Sequence, residues 1–202
     1  SVLLMLIINN VRIFPSSKPT SRTKATATIL LNKKLLIQSV RIVEVQDEAT
    51  GESSLRVYYP TQRLSEDRYR RCVSTREDFR EELDSAVLDA YEKVMADPSD
   101  NTVTFSEDEG DFEITDTNVF PIPSEGETPN PLLAKVGVQF DEKIWLRGMI
   151  LARRSDGTRI LRSPSRRTSD ERRINYHQFT DIAVRDEIRD HVIEIYDSLP
   201  AD

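Results

Sequence analysis

Cysteine is almost absent from this chain: Cys72 is the single thiol among 202 residues. One thiol forms neither a disulfide nor a thiolate zinc site within a chain, and it fits a reducing, cytoplasmic setting. Arg70 and Arg71 adjoin it and would lower its pKa, but a lone thiol reads first as a buried or idle one. Histidine is nearly as scarce. His177 and His191 have no cysteine pair to join them and make no zinc site. Long apolar runs are missing as well. Val2–Ile8 is apolar but short and lacks a basic flank, so it reads as neither a signal peptide nor a membrane span. No P-loop, G-x-G-x-x-G or nucleophile elbow occurs. These absences point to a protein that is not an enzyme and needs no cofactor and no metal. Positive charge is in deficit too, with 28 Lys and Arg against 35 Asp and Glu, a net charge of −7. That balance disfavours an indiscriminate polyanion binder, so the distribution of charge matters more than its sum.

What is present is present twice. Ala25–Val45 alternates Ala25, Ala27, Ile29 and Leu31 with Thr26, Thr28 and Leu30, breaks at Asn32-Lys33, and resumes from Lys34. Period two with a polar break is an antiparallel hairpin. Ala134–Arg154 repeats it 109 residues later, with Val136, Val138 and Phe140 alternating with Lys135, Gly137 and Gln139, and the break at Asp141-Glu142. Phe14-Pro15 recurs as Phe120-Pro121, Pro60 as Pro164 and Tyr91 as Tyr196. A period near one hundred residues means two like domains.

Each copy reads as four strands and a helix. In the first, Val2–Phe14 is a strand, the hairpin follows, and Leu55–Tyr59 is a fourth strand stopped by Pro60. Thr61–Arg71 is an arginine-rich loop. Ser74 and Glu77 have capping-box spacing, and Phe79, Leu83, Val87, Ala90, Tyr91 and Val94 form one helical stripe. In the second, Phe112–Ile122 is the strand, Pro123–Pro131 a loop, Arg159–Ser163 the fourth strand and Ser165–Tyr176 the arginine-rich loop. A helix starting near Thr180-Asp181 carries the stripe Val184, Ile188, Val192, Ile195, Tyr196 and Leu199. His191 stands beside that stripe as a packed histidine. The expected fold class is α+β: two tandem β-β-β-β-α units, each an antiparallel sheet with one C-terminal helix. The boundaries are 1–98, an acidic linker 99–111, and 112–202. Glu107, Asp108, Glu109 and Asp111 make the linker either a solvated connector, kept flexible by Gly110, or an acidic segment competing with nucleic acid for a basic face.

The third strands are apolar on two sides. Leu36, Val40 and Ile42 share one face and Leu35, Ile37 and Val43 the other; Trp145, Met149 and Leu151, and Ile144, Leu146 and Ile150, repeat the two sets. One helix covers one face, so the second face, or the sheet edge, is expected to meet the other half of the chain.

Three stretches resemble the stage V sporulation protein G (SpoVG) family of small bacterial septation and sporulation regulators. They are the hairpin ATATILLNKKLLIQSVRIV, the segment Pro164-Ser165-Arg166-Arg167-Thr168-Ser169-Asp170 after the fourth strand, and the helix Leu83-Asp84-Ser85-Ala86-Val87-Leu88-Asp89-Ala90-Tyr91. Members of that family match half of this chain, work as homodimers, and are implicated in binding DNA and RNA. The resemblance implies a fused chain packed as an intrachain pseudo-dimer, with further self-association left open. The first copy departs from the family at Pro60-Thr61-Gln62-Arg63-Leu64, which loses one basic residue and the Thr.

Charge then locates a candidate site. Residues 147–173 hold nine arginines and no lysine against Asp156, Asp170 and Glu171, a local excess of six positive charges. Arginine suits bidentate phosphate contacts and base stacking. Arg166, Arg167, Arg172 and Arg173, aided by Arg63, Arg70 and Arg71, are the expected nucleic-acid-binding residues, with Tyr69 available to stack on a base. The bland alternative is surface solubility plus ion pairs to the acidic helices. Two functions follow: a regulator that binds DNA or RNA, away from any membrane, or a protein-interaction scaffold that kept the fold and lost that binding.

Overall fold

A computed structural model describes residues 6–123 and 128–200. In chain order the first copy contains β1 (Ile8–Pro15), β2 (Thr23–Leu31), β3 (Leu35–Gln46), β4 (Ser53–Tyr58), β5 (Thr61–Arg63), β6 (Tyr69–Arg71), β7 (Val73–Thr75) and α1 (Glu77–Ala96). After β8 (Thr102–Thr104) the second contains β9 (Ile114–Pro121), β10 (Leu132–Phe140), β11 (Ile144–Arg153), β12 (Arg159–Arg162), β13 (Ser165–Arg167), β14 (Arg173–Asn175), β15 (His177–Phe179) and α2 (Ile182–Ser198). The α+β class and the two sheet-plus-helix units are as the sequence predicts. The start of the expected Val2–Phe14 strand and the middle of the Pro123–Pro131 loop lie outside the described residues.

The arginine-rich segments are not loops. Each is a small hairpin, β5–β6 or β13–β14, followed by a short strand, β7 or β15. This insertion divides the molecule differently from the repeats. One compact unit comprises the residues up to Pro60 and Thr75–Phe112, and the other comprises Thr61–Ser74 with the residues from Glu113 onward. The arm of the first copy is built into the second unit, because β7 adds to β11.

In the first unit an antiparallel sheet runs β4-β3-β2-β1-β8. α1 covers one face with Phe79, Leu83, Ala86, Val87, Ala90 and Val94. The facing residues Val11, Ile13, Ala27, Ile29, Ile37, Val40 and Ile42 have no exposed surface or almost none. The expected capping box does not form. Ser74 lies in β7, and α1 begins after Arg76, which makes no side-chain cap. At the corner between β4 and α1 a tyrosine is locked in place: Tyr59 donates to Asp84 at 2.7 Å, and the Arg80 guanidinium lies 4.8 Å over its ring. Burial first, then the Asp84 bond, raises the Tyr59 pKa.

The two-faced reading of the third strands fails for a local reason. Ser39 has φ 58° and its counterpart Gly148 φ 80°. Each marks a bulge: Ala27 and Ile29 pair with Val40 and Ile37, and Val136 and Val138 pair with Met149 and Leu146, so the third strand carries one extra residue. The extra residue moves Leu35 and Ile37 onto the same buried face as Val40 and Ile42, and Ile144 and Leu146 onto that of Met149 and Leu151. The hairpin turns also match. Asn32-Lys33 and Asp141-Glu142 all have positive φ, between 50° and 58°, as a two-residue type I′ turn requires.

The acidic segment is not a free linker. Its β8 pairs with β1, Val103 opposite Val11. The buried Asn9 amide donates to the carbonyls of Ser106 and Asp108, and Asn32 donates to that of Asp111. Glu107 pairs with Lys33 at 2.6 Å and Asp111 with Lys34 at 2.8 Å. Gly110 is there for close approach, not flexibility: a Cβ would stand 2.8 Å from Asn32 Cγ. Three of the four carboxylates of this segment, Glu107, Glu109 and Asp111, are engaged by Lys33 and Lys34 at the β2–β3 turn.

Candidate nucleic-acid interface

The second unit carries the sheet β12-β11-β10-β9 with β7 also on β11, and both arginine hairpins. Their bases converge on Arg147-Gly148. The Arg147 amide donates to the Cys72 carbonyl at 2.8 Å, below the β5–β6 hairpin. The Arg147 carbonyl accepts from His177 Nε2 at 2.9 Å, below the β13–β14 hairpin. Pro164 packs on Gly148, where a Cβ would come within 3.2 Å of the proline ring and 3.5 Å of Cys72 Sγ. Glycine thus meets both demands of this position, a positive φ and a crowded neighbour.

The anchor residues are chemically quiet. Cys72 is fully buried, and burial pushes its thiol up to about 11 despite the opposing pull of Arg70. Burial lowers His177 to about 4, so its ring is neutral, with Nε2 donating to a carbonyl. His191 bonds Thr117 Oγ1 at 2.9 Å, as a packed histidine does. Among the described residues no three of His, Cys, Asp and Glu gather to hold a metal. Among the described residues no helix is long and apolar enough to cross a membrane.

Above this base the hairpins display cations. Arg167 stands directly opposite Arg173 in the β13–β14 ladder, and Arg166 opposite Ile174. Like charges facing each other across a ladder destabilise it, and no carboxylate among the described residues pairs with Arg167 or Arg173. Arg172 differs: it closes its own turn through Asp170 at 2.7 Å. In the other hairpin Arg63 faces Tyr69, Gln62 faces Arg70, and Thr61 faces Arg71. Tyr69 is 63 % exposed and free to stack. Arg63 donates to the carbonyls of Ser65 and Glu66 in its own turn. The structure therefore gathers Arg166, Arg167, Arg173, Arg70 and Arg71 onto one unit, and ties Arg172 and Arg63 partly into their turns.

The remaining arginines sort by partner. Arg159 makes a bidentate pair with Asp197 of α2, as the bland reading expects. Arg147 stacks on the Trp145 ring at 4.5 Å. Arg185 and Arg189 of α2, absent from the sequence-based set, lie near Arg162 and Arg173 around one cavity. Their signal is weak in sequence, two arginines four apart on either side of the buried Ile188.

No curated protein and no solved structure matches this chain. The SpoVG family model matches residues 6–93, a stretch that runs from β1 through the β5–β6 arm to α1. The second copy lies outside that match but repeats its turn, bulge and hairpin positions. Residues 6–93 of this chain are therefore similar to the SpoVG family.

Proposed function

We propose that this is a SpoVG-type regulator that binds DNA or RNA through its two arginine hairpins and has no enzymatic activity. The observation that carries the reading is the unneutralised cross-strand pair Arg167–Arg173, beside Arg166, on a hairpin with a common anchor to β5–β6. Such a pair costs stability unless something anionic lies between its members, and a phosphate accepts two guanidinium forks at once. Arg70, Arg71 and Tyr69 of the other hairpin extend the surface with charge and a stacking ring. The net charge of −7 keeps affinity modest and background binding low. Four phosphates engaged on duplex DNA would give a slope of log K against log salt of about −3.6. A salt titration of duplex DNA and RNA binding tests this. Replacing Arg166 and Arg167 together with Ala should flatten the slope by about two units and weaken all sequences alike. Binding that ignores salt, or none at low salt, would leave the protein-interaction scaffold as the better account.

A further inference from the structure

Beside the β13–β14 hairpin, the second unit has an open cavity of about 780 Å³. Five arginines line it: Arg154, Arg162, Arg173, Arg185 and Arg189. The one carboxylate on its wall, Asp186, is already held by Arg189 at 3.2 Å. Arg154, Arg162, Arg173 and Arg185 have no carboxylate partner among the described residues. The rest of the wall is mixed: Met149, Ile160, Leu161, Phe179 and the buried Ile188 are apolar, and Ser163, Asn175, His177 and Gln178 are polar.

The first unit shows what this place becomes when filled. By the spacing of the repeats, Tyr59 corresponds to Ser163, Asp84 to Arg189 and Arg80 to Arg185. In the first unit the Tyr59 ring occupies the corner between β4 and α1, held by Asp84 and roofed by Arg80. In the second, the aromatic plug is a serine, and its acidic anchor is an arginine. A substitution that only lost packing would leave an apolar void; this one replaces the anion at the helix with an arginine, itself paired with Asp186 and Asp190, and adds the exposed Arg162 where the first unit has Tyr58.

We propose that this cavity binds a phosphorylated small molecule of the nucleotide class, with its phosphates on the arginines and its ring on the Met149–Leu161 side. The volume lies within the roughly 300–1,000 Å³ of small-molecule pockets. Arginines without carboxylate partners repel one another, and phosphate oxygens relieve that repulsion while accepting their forked donors. The proposal does not depend on the hairpins binding nucleic acid, since only Arg173 belongs to both surfaces.

Calorimetric titration of the full chain with ADP, AMP, ribose 5-phosphate and inorganic pyrophosphate tests it. ADP should bind, and pyrophosphate and ribose 5-phosphate should bind more weakly, each lacking part of the ligand. The double substitution Ser163→Tyr/Arg189→Asp rebuilds the plug of the first unit beneath Arg185 and should weaken ADP about tenfold or more. Arg162→Ala/Arg185→Ala removes two exposed cations without touching the core and should do the same, which keeps the test sound if the plugged variant misfolds. Arg166→Ala/Arg167→Ala should leave ADP affinity unchanged, and the plugged variant should keep the salt slope for duplex DNA, so the two surfaces fail separately. Absence of ADP binding at low salt, ADP affinity unaltered in both cavity variants, or pyrophosphate binding as tightly as ADP would overturn the assignment.

Discussion

The two helices occupy equivalent places, yet α1 buries six residues, Phe79, Leu83, Ala86, Val87, Ala90 and Val94, and α2 buries two, Ile188 and Val192. The corners beside them differ in the same sense. Tyr59, Arg80 and Asp84 close the first with a bonded aromatic ring, while Ser163, Arg185 and Arg189 leave the second open and cationic. One copy of the duplication has kept a packed corner, and the other has exchanged packing for charge. A protein selected only for stability would fill such a space; an open corner lined with arginines is the mark of a place where something else is meant to sit.

Truncating the stripe on each helix is the harshest way to measure that contrast. Leu83 has no exposed surface and Ile188 has 4 %. Leu83→Ala should cost about 2–5 kcal/mol, and Ile188→Ala should fall at the lower end of that range, because a side chain at the rim of an open cavity surrenders fewer contacts. Denaturant midpoints of the two variants check the order. An Ile188→Ala loss equal to or above that of Leu83→Ala would mean that the second corner is as tightly packed as the first.

The hairpins were legible because period two and a polar break survive duplication; Ala25–Val45 and Ala134–Arg154 keep register, turn and bulge alike. The bulge itself was not legible. Ser39 carries a positive φ without being glycine, so only its counterpart Gly148 offers any hint, and strict alternation through β3 and β11 puts the residues on one side of the bulge on the wrong face. The arm Thr61–Ser74 was hidden for another reason. Three-residue strands have no periodicity, and their place is set by pairing with β11, a tertiary fact. Of the site, the arginine-rich segments were visible as composition, but the Arg167–Arg173 pairing needed the ladder, and Arg185 and Arg189 needed the helix laid beside β12. The acidic segment misled because its charge suggested solvation, whereas Asn9, Asn32, Lys33 and Lys34 had partners waiting for it.

The arms supply a second contrast, in acid. His177 occupies the position that Val73 holds in the first arm; both are buried, but only one can take a proton. Burial holds the His177 pKa down at about 4, against 6.5 for the free side chain. Between those values the unfolded chain binds a proton that the folded chain refuses. The stability from a neutral His177 is therefore complete above about pH 6.5 and is lost as pH falls toward 4, a total of about 3 kcal/mol. His177→Gln, which keeps a donor for the Arg147 carbonyl, should remove this component from the slope of stability against pH. An unaltered slope between pH 6.5 and 4 would place the acid-sensitive group elsewhere.

The finest cut isolates the bond that closes the first corner. Tyr59→Phe keeps the ring, its burial and the Arg80 guanidinium above it, and removes only the hydroxyl that donates to Asp84. Asp84 is not stranded by this change, because Arg80 also pairs with it at 3.3 Å. The loss should therefore be that of one hydrogen bond with a satisfied partner, about 1 kcal/mol, and not the larger penalty of an orphaned buried carboxylate. Asp84→Arg makes the converse change, installing the charge of the second unit beneath the tyrosine and against Arg80, and should cost more than Tyr59→Phe. If the two variants proved equally stable, the first corner would owe its closure to the ring alone, and the arginine at position 189 would carry no meaning as a replaced anchor. A larger loss in Asp84→Arg, measured by denaturant midpoint, ties the charge reversal between the copies to the opening of the cavity.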